Sequence, residues 1–450
     1  MIARLAITAM VFSLVASAGS LRAQTPAQQN STDQAIQSLE LHVKMYPQDF
    51  AGYDGLGAAF LQKGRETGDA DYYERAKTAL AKSLDLDSSD PAAYSAMTHM
   101  AVACMAEHRF RDALAWAQRA LALGSGDPSP WAIAGDALAD MGEYDAAAAA
   151  YANLENPLAS EEEQRGLSFE RESRLSSLEL VAGHTQKALD LMRSAVHTAI
   201  QTRMSSENIA WSEYQLGEEL FQAGDYAAAE KADRAALEEY PSYYRALGGL
   251  AKALAAQGRL DEAAEHYRKA IAVVPFPEYA AALGDVDSKL GRTEQAKKEY
   301  ELVGFIGRLS EINQEIHNRD LAYFYADHDI KLDQALLLAR KELEVRRDIY
   351  TWDVLAWALY KNNQLQEAAD AIAHALQPGS ADALIFFHAG MIQERLGNAS
   401  MAKTFLQRAL DLSPQFNVRH AESARAALAG LQALEAQSAS AAPGEVSHAR

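Results

Sequence analysis

Apolar residues recur three and four positions apart through most of the chain, in short paired runs separated by turn residues. The run from 244 to 275 shows the unit most cleanly. Leu247, Leu250, Ala251 and Leu254 fall at i, i+3, i+4 and i+7, one apolar stripe of a helix. Gln257 and Gly258 end it, because glycine tolerates the left-handed conformation that closes helices. A second stripe follows in Ala263, Tyr267, Ala270 and Ile271 and stops before Pro275, where a helix cannot easily continue. The pattern predicts two short antiparallel helices with a tight turn between them. Neither can bury its stripe alone.

The unit repeats. A turn residue stands five positions before an alanine in Gly142/Ala147, Gly183/Ala188, Gly224/Ala229, Gly258/Ala263, Gly291/Ala296 and Gly397/Ala402, with His108/Ala113 and Asn363/Ala368 filling the same slots. From Ala113 to Ala402, by way of Ala335, the steps are 34, 41, 41, 34, 33, 39, 33 and 34 residues. A period of this size means one supersecondary unit stacked on itself. The fold class expected is all-α, a solenoid of antiparallel helix pairs. Residues 33–417 form it in about ten units, with loops or lengthened helices at 65–71, near Glu161 and at 306–318.

These residues resemble the tetratricopeptide repeat family. The family pattern is met by Leu247, Leu250, Ala251, Leu254, Gly258, Ala263, Tyr267, Ala270 and Pro275, with Leu254 in the place of an aromatic. It recurs in Tyr53, Leu56, Gly57, Phe60 and Gly64, in Trp131, Gly135, Leu138, Gly142, Ala147 and Tyr151, and in Trp352, Leu355, Ala356, Leu359, Ala368 and Ala375. Asp287 departs from it by occupying an aromatic slot, and Glu172 and Glu179 weaken the unit before Gly183, so irregular packing is expected there. Residues 350–391 are similar to the C-terminal part of a bacterial group of exported tetratricopeptide proteins.

The resemblance implies a superhelix whose first helices line a concave face, with an inward stripe offset from the packing stripe. In the unit ending at Asn363 the inward stripe is Tyr350, Asp353, Trp357 and Tyr360, and the packing stripe is Trp352, Leu355, Ala356 and Leu359. Neighbouring units add Tyr323 on one side and Phe387 and Met391 on the other. An aromatic patch with a few charges is how grooves grip peptides, so these seven inward residues are the candidate binding site. Aromatic residues at helical spacing also serve as core, and the C-terminal cap could bury them. Family members that clamp a C-terminal carboxylate use a lysine and an asparagine on this stripe. Here the paired slots hold Tyr214/Glu218, Gly248/Lys252, Ala281/Asp285, Arg319/Tyr323, Asp353/Trp357 and Phe387/Met391, and no pair matches.

Composition narrows the partner. The 450 residues carry a net charge of −20, which argues against nucleic acid or an anionic membrane surface and favours a cationic peptide or basic protein. The acidic excess also serves plain solubility. Residues 1–23 read as a signal peptide, with Arg4, an apolar run from Leu5 to Ala16 and small residues after it. Residues 24–32 read as a linker, 418–434 as a capping helix and 435–450 as a disordered tail. The mature chain is expected to be exported, periplasmic or secreted, with no membrane span.

Chemistry is sparse. There is no HExxH, GxxxxGK[ST], GxSxG or CxxC. Cys104 is the single cysteine, so no intrachain disulfide can form, and its place on a helix suits a small buried hydrophobe. Asp85, Asp87 and Asp90 lack the glycine and the twelfth-position glutamate of a calcium loop. His99, Cys104 and His108 share a helix but not one face. The reading is a non-enzymatic scaffold without metal or cofactor that binds a protein or peptide through its concave face, in an envelope complex. A carbohydrate- or cell-wall-binding module is the alternative, since aromatic and acidic grooves also stack sugars.

Export is tested by N-terminal sequencing of the protein from its native host. Cleavage after Ala18 or Ala23 is expected, so the first residue is Gly19 or Gln24. An intact Met1 contradicts it.

Overall fold

The computed structural model describes residues 26–88, 93–124, 126–155, 160–313 and 318–441. The signal-peptide reading and the last nine residues of the expected tail lie outside them. The described residues form helices α1 (Pro26–Met45), α2 (Phe50–Thr67), α3 (Asp71–Leu86), α4 (Ala93–Ala106), α5 (Phe110–Ala122), α6 (Ser129–Asp140), α7 (Tyr144–Tyr151), α8 (Glu161–Val181), α9 (Thr185–Gln201), α10 (Ser206–Gln222) and α11 (Tyr226–Glu239). They continue as α12 (Tyr244–Ala256), α13 (Leu260–Val273), α14 (Pro277–Lys289), α15 (Thr293–Asn313), α16 (Asn318–Asp327), α17 (Leu332–Val345), α18 (Ile349–Lys361), α19 (Leu365–Leu376), α20 (Ala383–Arg395), α21 (Ala399–Leu412) and α22 (His420–Ala441). From α2 to α21 the helices pair in order as ten hairpins, and the second helices pack on the helix that follows, except that α16 joins the hairpin before it through α14. The solenoid expected from the period is present.

Local chemistry sets the hairpins. The turn glycines at 142, 183, 224, 258, 291 and 397 all take positive φ, and His108 (φ 57°) and Asn363 (φ 60°) take it in the slots without glycine. Where the alanine is Ala335, Asp329 and Lys331 carry the positive φ instead. Within a hairpin the ladder of small residues lets the helix axes close. Ala263 and Ala251 are fully buried, and a Cβ on Gly135 would overlap the Tyr151 ring. Two of the three long steps of the repeat hold a lengthened helix: α8 and α15 each run 21 residues, α8 opening on a capping box made by Ser160 and Glu163, and the third step is taken up by α9 and α10 at 17 residues each.

Two expectations change. Helix α1 begins at Pro26, inside the stretch read as a linker, and α22 runs to Ala441, past the expected cap end at 434. The units with misplaced charges still pair as hairpins, and they are the ones that carry the lengthened α8 and α15, where irregular packing was expected. Asp287 is buried with Arg268 at 3.1 Å and Arg292 at 3.3 Å, and Glu179 meets His184 and Lys187, each at 2.7 Å. Local ion pairs satisfy charges that the repeat pattern alone would exclude.

The hairpin tips do not face solvent alone. The tip at Gly68 sits on Val274, the tip at Gly142 on the Arg347 carbonyl, the tip at Gly183 on Gly379 and the tip at Gly224 on Leu412. In hairpin order, tips one, three, four and five meet the loops that follow hairpins six, eight, nine and ten. The superhelix therefore returns on itself with a register of five hairpins, and successive turns touch. Around Gly142 the contact is also polar: Arg347 N donates to Asp140 O at 2.9 Å and Ile349 N to Tyr144 Oη at 3.0 Å. The buried Arg346 guanidinium lies 3.1 Å from the Asp140 carboxylate and over the Phe110 ring.

Two glycine substitutions separate backbone strain from this contact. Gly258 has φ 80° with nothing within 4 Å of a built Cβ, so Gly258→Ala should cost about 1 kcal/mol for the left-handed backbone. Gly183 has φ 79°, but its added methyl would meet the Gly379 carbonyl, so Gly183→Ala should cost about 1–3 kcal/mol more. Urea unfolding of both variants measures the difference. Equal losses would mean that the turns of the superhelix do not touch there.

Candidate functional site

The inward stripe comes together where α16, α18, α20 and α22 meet. Trp357 on α18 donates its Nε1 hydrogen to Asp327 Oδ1 at 2.7 Å. Its ring stacks on Tyr360 (centroids 4.8 Å, 7°) and on His388 (4.2 Å, 19°), with the edge of His420 at 5.8 Å. Phe387 stacks on His420 at 4.9 Å and touches Phe416 at 5.8 Å. Asp353 accepts from Tyr323 Oη at 2.7 Å and from His388 Nδ1 at 2.9 Å. Since a carboxylate only accepts, the imidazole proton lies on Nδ1. His420 Nε2 stands 3.0 Å from Asp327 Oδ1. Burial alone would push the Asp327 carboxyl up, but the His420 and His388 rings beside it hold it well below the usual carboxylate range.

A strap of residues 413–419, linking α21 to α22, crosses the inner face. Gln415 N donates to Tyr226 Oη at 2.7 Å, Phe416 lies on Phe387, and Arg419 Nη1 donates to Asp285 Oδ1 at 3.3 Å. Asp285 also accepts from Tyr300 Oη at 2.9 Å and faces His328 Nε2 at 3.0 Å. A pocket remains between strap and wall, lined on the wall by Phe221, Lys252, Tyr267 and Asp285. Lys252 bonds to Glu218 at 2.7 Å and lies 4.2 Å over the Phe221 ring. Phe221, Lys252 and Asp285 are inner-face positions of α10, α12 and α14, and Tyr267 comes from α13.

Six of the seven expected site residues are therefore in one place, but not as an exposed patch. Tyr323, Tyr350, Asp353, Trp357, Tyr360 and Phe387 are buried, with Trp357 only 3% exposed, and Met391 is half-buried. The two tryptophans of α18 change roles. Trp352, assigned to packing by its stripe, is half-buried and lies against His374 at 4.2 Å. Trp357, assigned to the groove, is core. The reason is that α22 and the strap fold back onto the inner face, which a single unit's stripe does not record. Sugar stacking needs open ring faces, and those of Trp357 are covered by neighbouring rings.

Other expectations fall into place. Cys104 is 1% exposed and burial pushes its thiol up to about 11, the environment of an inert hydrophobe. His99 bonds to Asp54 at 2.7 Å and His108 forms its turn. Three further histidines pair with carboxylates: His388 with Asp353, His328 with Asp285 and His420 with Asp327. Their separations of 35, 43 and 93 residues lie between repeats, beyond any local motif.

Tetratricopeptide repeat profiles match residues 21–84, 73–128, 214–280 and 383–416. The chain is a tetratricopeptide repeat protein. Similar solved structures include a crystal structure of MamA, 21% identical over 39% of this chain and 96% of that one, with a TM-score of 0.32. The APC/C hetero-tetramer Cut9-Hcn1 is 14% identical, over 90% of this chain and 94% of that one, at 0.34. The human IFIT1 dimer with m7Gppp-AAAA is 17% identical, over 77% and 76%, at 0.46. Scores this low say nothing about function. No curated protein matches the sequence.

The exchange of tryptophan roles is measurable. Trp357→Ala should cost about 3–5 kcal/mol by opening a buried cavity and stripping Asp327 of a donor. Trp352→Ala, at a half-buried surface position, should cost less. Thermal unfolding of the two variants decides it, and the reverse order would restore Trp357 to an open groove.

Proposed function

We propose that this tetratricopeptide protein is an exported, non-enzymatic scaffold that holds a partner protein or peptide on the inner face of its superhelix, in an envelope complex. Tetratricopeptide repeat proteins act generally as protein-interaction scaffolds. The observation that carries the finer reading is the strap. An irregular stretch of this chain already lies on the inner face, held there by Phe387 and Asp285 through one ring contact and one ion pair, and tied at its start to the hairpin tip by a backbone bond to Tyr226. Those are the means by which such a face would hold a foreign segment. Beside the strap, Phe221, Lys252 and Asp285 line a small cavity with an apolar wall and charges of both signs. The acidic chain favours a basic partner, so association should weaken as salt rises. The N-terminal pattern of charge, apolar run and small residues supports export.

A photo-crosslinking amino acid placed at Ala256, beside the pocket, and separately at Lys269, exposed on the second helix of the same hairpin, tests the face used. Irradiation in the native host should give a defined protein adduct from position 256 and none from 269. Adducts from 269 alone, or retention on polysaccharide without a protein adduct, would contradict the proposal.

A further inference from the structure

Among the described residues, Asp327, His388 and His420 bring three metal-ligating atoms within 4.8 Å of one another, all three side chains buried. They come from three separate elements: the end of α16, the middle of α20 and the first residue of α22. We propose that these three residues bind a divalent first-row transition metal ion of the zinc type, and that the ion fastens the C-terminal helix to the inner face.

The ligand chemistry supports this class of ion. Two imidazoles and one carboxylate suit zinc and its neighbours, whereas calcium and magnesium prefer oxygen ligands. The spacing agrees. Two ligand atoms held about 2.1 Å from one ion lie about 3.0–3.4 Å apart for angles between a right angle and the tetrahedral one. Asp327 Oδ1 and His420 Nε2 are 3.0 Å apart. Their present contact is a hydrogen bond that an ion would replace with little movement. The third ligand closes by adjustment of the His388 side chain.

The surroundings are those that metal sites use to orient their ligands. Asp353 holds His388 through Nδ1 at 2.9 Å, so the ion would be met by Nε2. Tyr323 in turn donates to Asp353 at 2.7 Å, fixing the carboxylate. Trp357 Nε1 steadies Asp327 at 2.7 Å, and the Trp357 and Phe387 rings wall the site. Lys289 and Glu422, 2.7 Å apart, form a second tie between α14 and α22 that needs no metal. The cap can therefore dock without the ion and be tightened by it.

The test uses the full-length protein stripped with a chelator and titrated with zinc by calorimetry, with bound metal counted by mass spectrometry. One ion per chain and a raised melting temperature are expected. Asp327→Asn and His388→Gln should remove both effects while circular dichroism stays helical. Asp353→Asn should weaken binding about 10–100-fold, as loss of an orienting partner does. If one of these variants fails to fold, His420→Gln at the cap end of the site replaces it. No zinc bound by the unaltered chain, or one ion still bound by the folded variants with unchanged affinity, overturns the proposal.

Discussion

The structure depends on the contact between one turn of the superhelix and the next. A hairpin tip must be small enough to let a loop from five hairpins later lie against it, and glycine at 142, 183 and 224 meets that demand. Each of these glycines serves two ends. Its positive φ closes its own hairpin, and its missing side chain admits the carbonyl or loop above it. Nearest-neighbour packing would leave the solenoid an open spring. These long-range contacts turn it into a closed coil, pinned by the buried Arg346–Asp140 pair and by Tyr144 and Tyr226.

Closure explains what the inner face holds. The first helices line the inner face, and the strap and α22 fill part of the space they enclose. Polar side chains so enclosed must be paired, because an uncompensated buried charge costs several kcal/mol. The pairs are there: Lys252 with Glu218, Arg174 with Asp136, His388 with Asp353, His420 with Asp327. Most join neighbouring hairpins, so each fixes the angle between units as well as satisfying charge. The same enclosure gathers the histidines and Asp327 into a site with the chemistry of a metal centre.

The sequence made the hairpins legible and left their arrangement hidden. Helix periodicity, the turn slots at His108 and Asn363 and the ladder through Ala263 are local properties, and all appear where the pattern placed them. The lengthened α8 and α15 were visible as long steps of the repeat. The superhelical register was not, because it follows from small rotations between units that no periodicity records. The exchange of Trp352 and Trp357 came from the same cause: a stripe tells which side of a helix is apolar, not what folds back onto it. Asp287 broke the pattern and was harmless, since Arg268 and Arg292 reach it.

The central claim is that the fourth hairpin tip touches the loop after the ninth hairpin. Spin labels at His184 and Gln377, both exposed beside that contact, with Cys104 replaced by alanine, report it directly through their dipolar coupling. A closed coil gives one short, narrow distance in solution. A long or broad distribution would mean an open superhelix, and the account of the inner face would fall with it.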